Sequence, residues 1–331
     1  MPPGILETSR RSAIGAHPFV THTPLGPGRE FDAIRRFWST LGDRAAGGGD
    51  DCAFIELDGT TLAVSCDLSI EGTHFRLGWL KAHEIGWRAC AASLSDLAAV
   101  AATPVGILAA VGLPREMPAS LAVDLMDGVA EAAHAAGCGV VGGDLVRSDA
   151  ITIDVVSLGR GDHLVRRVGA QPGDTLWITG ALGGPAAALA AWEEGQEPEE
   201  TARARFARPE PRIAAAQWLA ARGARAMIDV SDGLLADAAH LAAASGVRCA
   251  VERERVPVHP AATADQAIVG GEEYELLVAL PASVTGDVGT RFAEAHGFPL
   301  TRVGAVDAGD GVVLREHGAA VAPPVGFGHF D

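Results

Sequence analysis

The most apolar stretch of the chain, residues 89–113, is long enough to raise the question of a membrane span, yet it contains Asp96. A charged side chain inside a bilayer is costly, and Pro104 would interrupt a spanning helix. After Gly106 the pattern changes to one typical of a strand. The stretch therefore predicts a buried helix bearing Asp96 and then a strand, in a globular protein with no membrane partner.

Composition narrows the classes of ligand. The 331 residues include 42 acidic and 26 basic side chains, for a formal net charge of −16. This charge disfavours binding to nucleic acid or anionic membranes, and it predicts that any polyanionic ligand binds together with metal ions. The five cysteines are odd in number and form no C-x-x-C pair, which favours a reducing, cytoplasmic location over a disulfide framework or a zinc site.

The scarcity of lysine excludes two common nucleotide sites. Lys81 is the only lysine, and no glycine-rich loop precedes it. A Walker-type site needs the lysine of G-x-x-x-x-G-K-[ST], and a protein kinase needs a lysine on an early strand followed by H-R-D and D-F-G. Neither pattern occurs, so both classes of nucleotide site are excluded.

Apolar runs at helical and strand spacing alternate irregularly, which predicts an α/β protein. The length favours two domains. A turn-rich passage at residues 166–174 separates a predicted α+β N-terminal domain, residues 29–160, from a predicted α/β C-terminal domain, residues 165–331. Residues 1–28 predict a mostly irregular extension. The predicted helices cover residues 29–42, 119–136, 184–194, 210–222 and 233–244, and the predicted strands cover residues 140–141, 151–158, 175–179, 226–230 and 274–280.

Six aspartates lie at the end of a predicted element or against apolar neighbours. They are Asp51, Asp67, Asp96, Asp144, Asp229 and Asp232. A buried carboxylate loses its hydration, so its ionised form needs a cation beside it. Magnesium prefers oxygen ligands and binds through a few carboxylates together with substrate phosphates. The set predicts a magnesium site; helix capping is the alternative for single members, but it does not explain Asp96, predicted in the middle of a helix.

Three glycine runs accompany these acids, at residues 47–49, 142–143 and 270–271. Without side chains the backbone N–H groups can approach a phosphate while a neighbouring acid binds the metal. Ordinary turns explain each run equally well when it is taken alone. Arg167 offers either a cationic contact to a phosphate or a surface ion pair, and both interpretations stay open.

Seven motifs occur in a recognisable order. They are GDDCA at 49–53, SCD at 65–67, EGTHF at 71–75, SLSDLAA at 93–99, GGD at 142–144, DVSDGL at 229–234 and GEEYEL at 271–276. The set resembles the thiamine-monophosphate kinase family of the aminoimidazole-ribonucleotide-synthetase-like superfamily, from about residue 29 to the C-terminus. The resemblance implies the two-domain architecture of that superfamily and a homodimer formed through the N-terminal domains, with ATP at or near their junction.

The resemblance also implies a reaction and its residues. The γ-phosphoryl group of ATP would pass directly to thiamine monophosphate, giving thiamine diphosphate and ADP, the last step of thiamine diphosphate biosynthesis, with several Mg²⁺ ions bridging the phosphates. Catalysis would be metal-assisted through Asp67, Asp96 and Asp232. The implied metal ligands are Asp51, Ser65, Cys66 through its carbonyl, Asp67, Asp96, Asp144, Asp229 and Asp232. The implied ATP contacts are Gly143, Asp144, Arg167 and Ser231, and the implied substrate contacts are His74, Glu272 and the position of Pro324.

Two departures from the family pattern affect the acceptor side. Glu273 stands where the family usually has aspartate, and Pro324 stands where an aromatic side chain commonly packs on the substrate. Two alternatives therefore stay open. One is a superfamily member that uses ATP with another acceptor, of the selenophosphate-synthetase or hydrogenase-maturation kind. The other is a non-catalytic nucleotide-binding paralogue, against which the intact aspartates argue.

Overall fold

The structure is a computed structural model that describes residues 22–45, 47–284 and 286–324. The predicted N-terminal extension lies outside the described residues up to residue 21, and residues 22–28 contain no helix or strand. The helices are α1 (Arg29–Leu41), α2 (Ala82–Ala99), α3 (Ala119–Ala135), α4 (Gly184–Glu193), α5 (Glu200–Ala207), α6 (Ile213–Ala220), α7 (Leu234–Ser245), α8 (Ala264–Val269) and α9 (Val288–His296). The strands are β1 (Ala53–Leu57), β2 (Thr60–Ile70), β3 (Thr103–Leu113), β4 (Val140–Arg147), β5 (Thr152–Gly161), β6 (Thr175–Thr179), β7 (Ala226–Asp229), β8 (Arg248–Glu252), β9 (Leu276–Leu280), β10 (Leu300–Asp307), β11 (Gly311–Glu316) and β12 (Ala319–Val321).

The first sheet has five strands in the order β1-β2-β5-β3-β4, antiparallel except for the parallel pair β3 and β4. One face packs against α2 and α3. Strand β5 shows this directly, because Ile153 and Val155 are fully buried while their neighbours are half-buried. The opposite face leaves apolar side chains exposed, among them Leu68, Leu108 and Val146.

The second sheet has seven strands in the order β12-β11-β8-β10-β6-β9-β7. Strands β6, β7 and β9 are buried at every residue, as expected for strands that are covered on both faces. One core packs α7 against Ile178 and Leu277, and the other packs α6 and α9 against Trp177 and Val278. This sandwich fixes the end of β7, where Asp229 lies.

The sequence predicted the main elements correctly. Helix α1 ends before Gly42, and the apolar stretch forms the buried helix α2 followed by the strand β3. Asp96 lies in the last turn of α2 rather than in its middle. No helix in the described part of the chain is both long and apolar enough to cross a membrane. Helices α5, α8 and α9 and strands β1, β8 and β10 to β12 were not predicted.

Candidate active site

A cavity of about 670 Å³, the acidic cavity, opens between the two sheets. Its wall combines the end of β2, the inner face of α2, the segment after β7 and the segment before β9. The acidic side chains in this wall are Glu30, Asp50, Asp51, Asp67, Asp96, Asp229, Asp232, Asp237 and Glu272. The fold therefore gathers five of the six aspartates that the sequence singled out into one space.

Three of these carboxylates form a tight group, the acidic trio. Oxygen atoms of Asp51, Asp96 and Asp229 all lie within 4.8 Å of one another. Burial, reinforced by the neighbouring negative charges, raises the pKa of Asp96 well above its usual range and that of Asp229 to about 8. A cation in this place would remove the repulsion that raises these pKa values.

Serine hydroxyls orient two members of the trio. Ser65 donates a hydrogen bond to Asp96, and Ser95 Oγ donates to Asp229 Oδ2 at 2.6 Å. The second bond joins α2, which packs on the first sheet, to β7 of the second sheet. The trio is thus built from both halves of the described chain.

Arg167 approaches the trio from the segment that connects the two sheets. Its guanidinium group pairs with Asp51, and its backbone N–H donates to Asp50 Oδ1 at 3.2 Å. The other oxygen of Asp51, Oδ2, is buried and has no hydrogen-bond partner in the described structure. Asp51 therefore has one oxygen paired with arginine and one that fits a further cation.

Asp67 lies at the same cavity, where burial and the negative charge of Glu272 raise its pKa to about 6. Cys66, its neighbour on β2, is exposed, and its thiol contacts Asp154 Oδ1 at 3.3 Å. Asp232 and Ser231 line the cavity from the segment between β7 and α7.

A seventh aspartate shapes that segment and was missed by the sequence analysis. Asp237 Oδ2 accepts hydrogen bonds from the backbone N–H groups of Ser231, Asp232 and Gly233, each at 3.1 Å. Its position in the first turn of α7 is typical of an acid that neutralises a helix N-terminus, which was the available signal.

His240 forms the far wall and was also missed. Its Nδ1 accepts a hydrogen bond from the Gly26 N–H at 3.0 Å, and its ring lies 3.9 Å from the ring of Phe31. Burial and the charge of Arg167 lower the pKa of His240 to about 3. The imidazole is therefore neutral and holds α1 over the cavity.

A second cavity of about 500 Å³, the aromatic cavity, adjoins the first. Trp79, Phe206 and Leu189 contribute to its wall, and Trp79 stacks on Trp192 at 5.2 Å. Five residues line both cavities: Thr73, His74, Ser231, Asp232 and Glu272. His74 Nδ1 accepts a hydrogen bond from the Ile70 N–H at 3.1 Å. The two predicted substrate contacts, His74 and Glu272, thus lie at the junction of the two cavities.

Gly143 and Asp144 lie elsewhere, on β4 at the edge of the first sheet. Asp144 is exposed and does not line either cavity. A Cβ atom at Gly143 would lie 1.9 Å from the carbonyl oxygen of Ala109, so the close pairing of β3 and β4 itself requires glycine there. Within one copy of the chain, these two residues do not reach the acidic trio.

The two departures from the family pattern also lie away from the cavities. The Glu273 side chain is buried, accepts a hydrogen bond from the Gly183 N–H and lies 3.7 Å from Arg205. Pro324 is half-buried, and neither residue contributes to the wall of either cavity.

Comparison with known proteins identifies both parts of the chain. The models of the AIR synthase related protein match it, the N-terminal domain over residues 49–161 and the C-terminal domain over residues 171–317. The thiamine-monophosphate kinase of Mycobacterium tuberculosis is 38% identical over 244 residues, which are 70% of this chain and 73% of the relative.

Solved structures agree with this result. AaThiL complexed with AMPPCP and TMP superposes with a TM-score of 0.81 at 30% identity, covering 92% of this chain and 97% of that chain. The hydrogenase maturation protein HypE in complex with ATP has a TM-score of 0.66 at 19% identity, covering 90% and 96%, and shares the fold alone. The two AIR synthase-like domains confirm the predicted fold class, and the chain belongs to the thiamine-monophosphate kinase family of the AIR synthase related proteins.

Proposed function

We propose that this protein transfers the γ-phosphoryl group of ATP to thiamine monophosphate, producing thiamine diphosphate and ADP. The observation that carries the proposal is the junction of the acidic cavity with the aromatic cavity, at His74, Asp232 and Glu272. The kinship with thiamine-monophosphate kinases and with AaThiL bound to AMPPCP and TMP supports both substrates.

The two cavities suit two different parts of the reactants. The acidic cavity suits the phosphate groups once cations are present, since the acids alone would repel them. The aromatic cavity, with Trp79 and Phe206 in its wall, suits the heteroaromatic rings of the acceptor. The acceptor phosphate then lies at the shared wall, beside His74, and faces the γ-phosphate.

Magnesium is the cation that the donor set favours. The acidic trio offers three carboxylates with a buried, unpartnered oxygen on Asp51, and hard oxygen ligands of this kind suit Mg²⁺. Asp67 and Asp232 line the same cavity and complete the proposed set, together with Ser65 and the Cys66 carbonyl. When bound, Mg²⁺ neutralises phosphate charge that would otherwise oppose the approach of the two substrates.

The side chains of the protein mainly position the substrates. Phosphoryl transfer needs alignment and charge neutralisation more than covalent help, so we propose no phosphoenzyme. Ser231 lies at the shared wall, and Asp237 fixes its backbone. Arg167 remains a proposed ATP contact, although in this structure its guanidinium group pairs with Asp51.

A homodimer would explain the position of Gly143 and Asp144. The exposed face of the first sheet carries Leu108, Val141 and Val146 near these residues, an apolar surface of the kind that a second copy covers. We propose that the dimer forms through this N-terminal domain, residues 29–160, and brings Asp144 to nucleotide bound at the partner subunit. The C-terminal domain is proposed to cover residues 165–331, and the location of the protein to be the cytoplasm.

An ADP-release assay with ATP and Mg²⁺ tests the function. Thiamine monophosphate, thiamine and a reaction without acceptor are compared, with EDTA as the metal-free control. We expect ADP only with thiamine monophosphate and only with the metal. ADP release without any dependence on thiamine monophosphate would contradict the proposal and favour another acceptor. Binding of ATP with no turnover would favour the non-catalytic alternative.

A further inference from the structure

Arg88, Glu272 and Tyr274 form a group at the junction of the two cavities, called the clamp here. The Tyr274 hydroxyl donates a hydrogen bond to Glu272 Oε2, and the Arg88 guanidinium group forms an ion pair with the same oxygen. The Arg88 side chain is 4% exposed and that of Glu272 is 25% exposed. The protein therefore holds one carboxylate oxygen from two sides, while the carboxylate stays partly open to both cavities.

Arg88 is itself held in place. Its Nη1 donates a hydrogen bond to the carbonyl oxygen of Phe206 at 2.6 Å, and its guanidinium carbon lies 3.8 Å from the centre of the Phe206 ring. Stacking and a buried hydrogen bond together fix the orientation of an arginine. Arg88 is thus a rigid support for Glu272.

The backbone of the clamp is equally constrained. Glu272 has a φ of 66° and Tyr274 a φ of 53°, both in the left-handed region that non-glycine residues rarely adopt. The Glu272 N–H donates to the carbonyl oxygen of Ser231 at 2.7 Å, and the Tyr274 N–H donates to that of Val230 at 2.9 Å. Such conformations persist only where surrounding contacts hold them, and here those contacts come from the segment after Asp229.

We propose that Tyr274 and Arg88 are positioning residues that aim the Glu272 carboxylate at the acceptor and thereby set the affinity for thiamine monophosphate. This inference rests on the proposed function. Thiamine monophosphate carries a cationic ring and an amino group, both of which a carboxylate can bind. Without the Tyr274 hydroxyl, Glu272 is free to rotate into a two-oxygen pair with Arg88 and away from the acceptor.

The variant Tyr274→Phe tests this role, because it removes the hydroxyl and keeps the ring. We expect the KM for thiamine monophosphate to rise about tenfold, the loss of one charge-assisted hydrogen bond, and the KM for ATP to change less than about twofold. Arg88→Lys keeps the charge but loses the stacking and the fixed fork, and it should raise the same KM. An equal change in both KM values would overturn the proposal, as would no change in either.

Thr175→Val is the matched control for structural damage. Thr175 lies on β6, and its buried hydroxyl donates to the carbonyl oxygen of Leu280 at 3.2 Å, away from both cavities. We expect this variant to lower the melting temperature and to leave both KM values unchanged. A selective rise in the KM for thiamine monophosphate in this control would show that the effect in Tyr274→Phe is unspecific.

A spectroscopic measurement tests the same point without altering Tyr274. Tyr274 is the only tyrosine of the chain, so protein labelled with ¹³C at tyrosine Cζ gives a single resonance that reports its hydroxyl. We expect thiamine monophosphate to shift this resonance in the wild-type protein and to have no such effect in Glu272→Gln. If wild-type protein shows turnover with thiamine monophosphate but the resonance does not move, this inference is wrong while the proposed function still holds. If thiamine monophosphate supports no ADP release, the proposed function fails first.

Discussion

Two groups of buried acids lie close together in this protein, and the fold neutralises them differently. Glu275 accepts two hydrogen bonds from Arg212, at 2.9 and 2.6 Å, and pairs with Arg205 at 2.9 Å. Among the described residues, the acidic trio Asp51, Asp96 and Asp229 forms just one ion pair, with Arg167. One group has its cations within the chain, and the other has three carboxylates for one guanidinium group.

The pKa values express this difference. Burial alone would raise the pKa of Glu275, but Arg205 and Arg212 outweigh it and lower that pKa. At Asp229 burial and the charge of Asp51 raise the pKa to about 8. Buried acids with their own arginines are therefore structural, whereas buried acids that lack them are suited to an external cation.

The largest expected effect comes from the trio. Asp96→Asn removes a carboxylate from the proposed metal site, so we expect kcat to fall about 1000-fold or more. The melting temperature of the metal-free protein should stay the same or rise, because a repulsive charge is lost. The control for both kcat and the melting temperature is Asp162→Asn, because Asp162 is exposed on the loop after β5. If the metal-free Asp96→Asn variant melts well below the metal-free wild type, the prediction is wrong and Asp96 has a structural role like that of Glu275.

Glu275→Gln should show the opposite pattern. It leaves the half-buried Arg205 and Arg212 without their buried carboxylate, so we expect the free energy of unfolding to fall by about 3 kcal/mol in urea denaturation. Glu210→Gln is the matched control, because Glu210 pairs with Arg212 but is 73% exposed, and its loss should cost less than about 0.5 kcal/mol. Equal losses in the two variants would contradict the comparison.

The pH dependence of stability offers a third test. Burial raises the pKa of Asp50 and Asp67 to about 6 and that of Asp229 to about 8, so the folded state binds more protons than the unfolded state. The contribution of these groups is fully present below about pH 4, the usual range of an aspartate pKa, and is lost as the pH rises through the folded pKa values. In EDTA the melting temperature should therefore fall from pH 5 to pH 8, and Mg²⁺ should reduce that fall. A rise with pH in EDTA would show that the trio is neutralised from within.

The smallest effect concerns Glu273, which the sequence analysis identified as a departure from the family pattern. Glu273→Asp shortens the side chain and loses the hydrogen bond from the Gly183 N–H, so we expect a loss of about 1 kcal/mol in the free energy of unfolding. The KM values for both substrates should not change, because Glu273 does not line either cavity. A selective change in the KM for thiamine monophosphate would move Glu273 from the structural group to the site.

Local patterns predicted much of this fold. The apolar period identified α1 and α3, and the position of Asp96 within an apolar run indicated a buried helix. Helix α5 escaped because it is short and has little apolar periodicity of its own; it is held through contacts such as that of Phe206 with Arg88.

The site divides along the same line. The metal-binding role of the aspartates could be predicted from the sequence, because a carboxylate that is buried next to an apolar run is costly without a cation. Arg167 contacts Asp51, which is far away in the chain. The hydrogen bonds from the Ser231 N–H to Asp237 and from the Tyr274 hydroxyl to Glu272 join residues that are close in the chain but depend on the exact conformation of a turn. Hydrophobic periodicity along the chain does not reveal such contacts. For Arg167, only the three-dimensional structure shows that the guanidinium group pairs with Asp51.

The hydrogen bond between Ser95 and Asp229 has a consequence for the synthesis and folding of the chain. The acidic trio draws Asp51 and Asp96 from one half of the chain and Asp229 from the other, so a nascent or truncated chain that ends before β7 holds only part of the site. If the chain is divided between β5 and β6, each fragment alone should be inactive, and activity should appear only when the two fragments associate. The activity recovered then measures the fraction of fragments that have associated correctly.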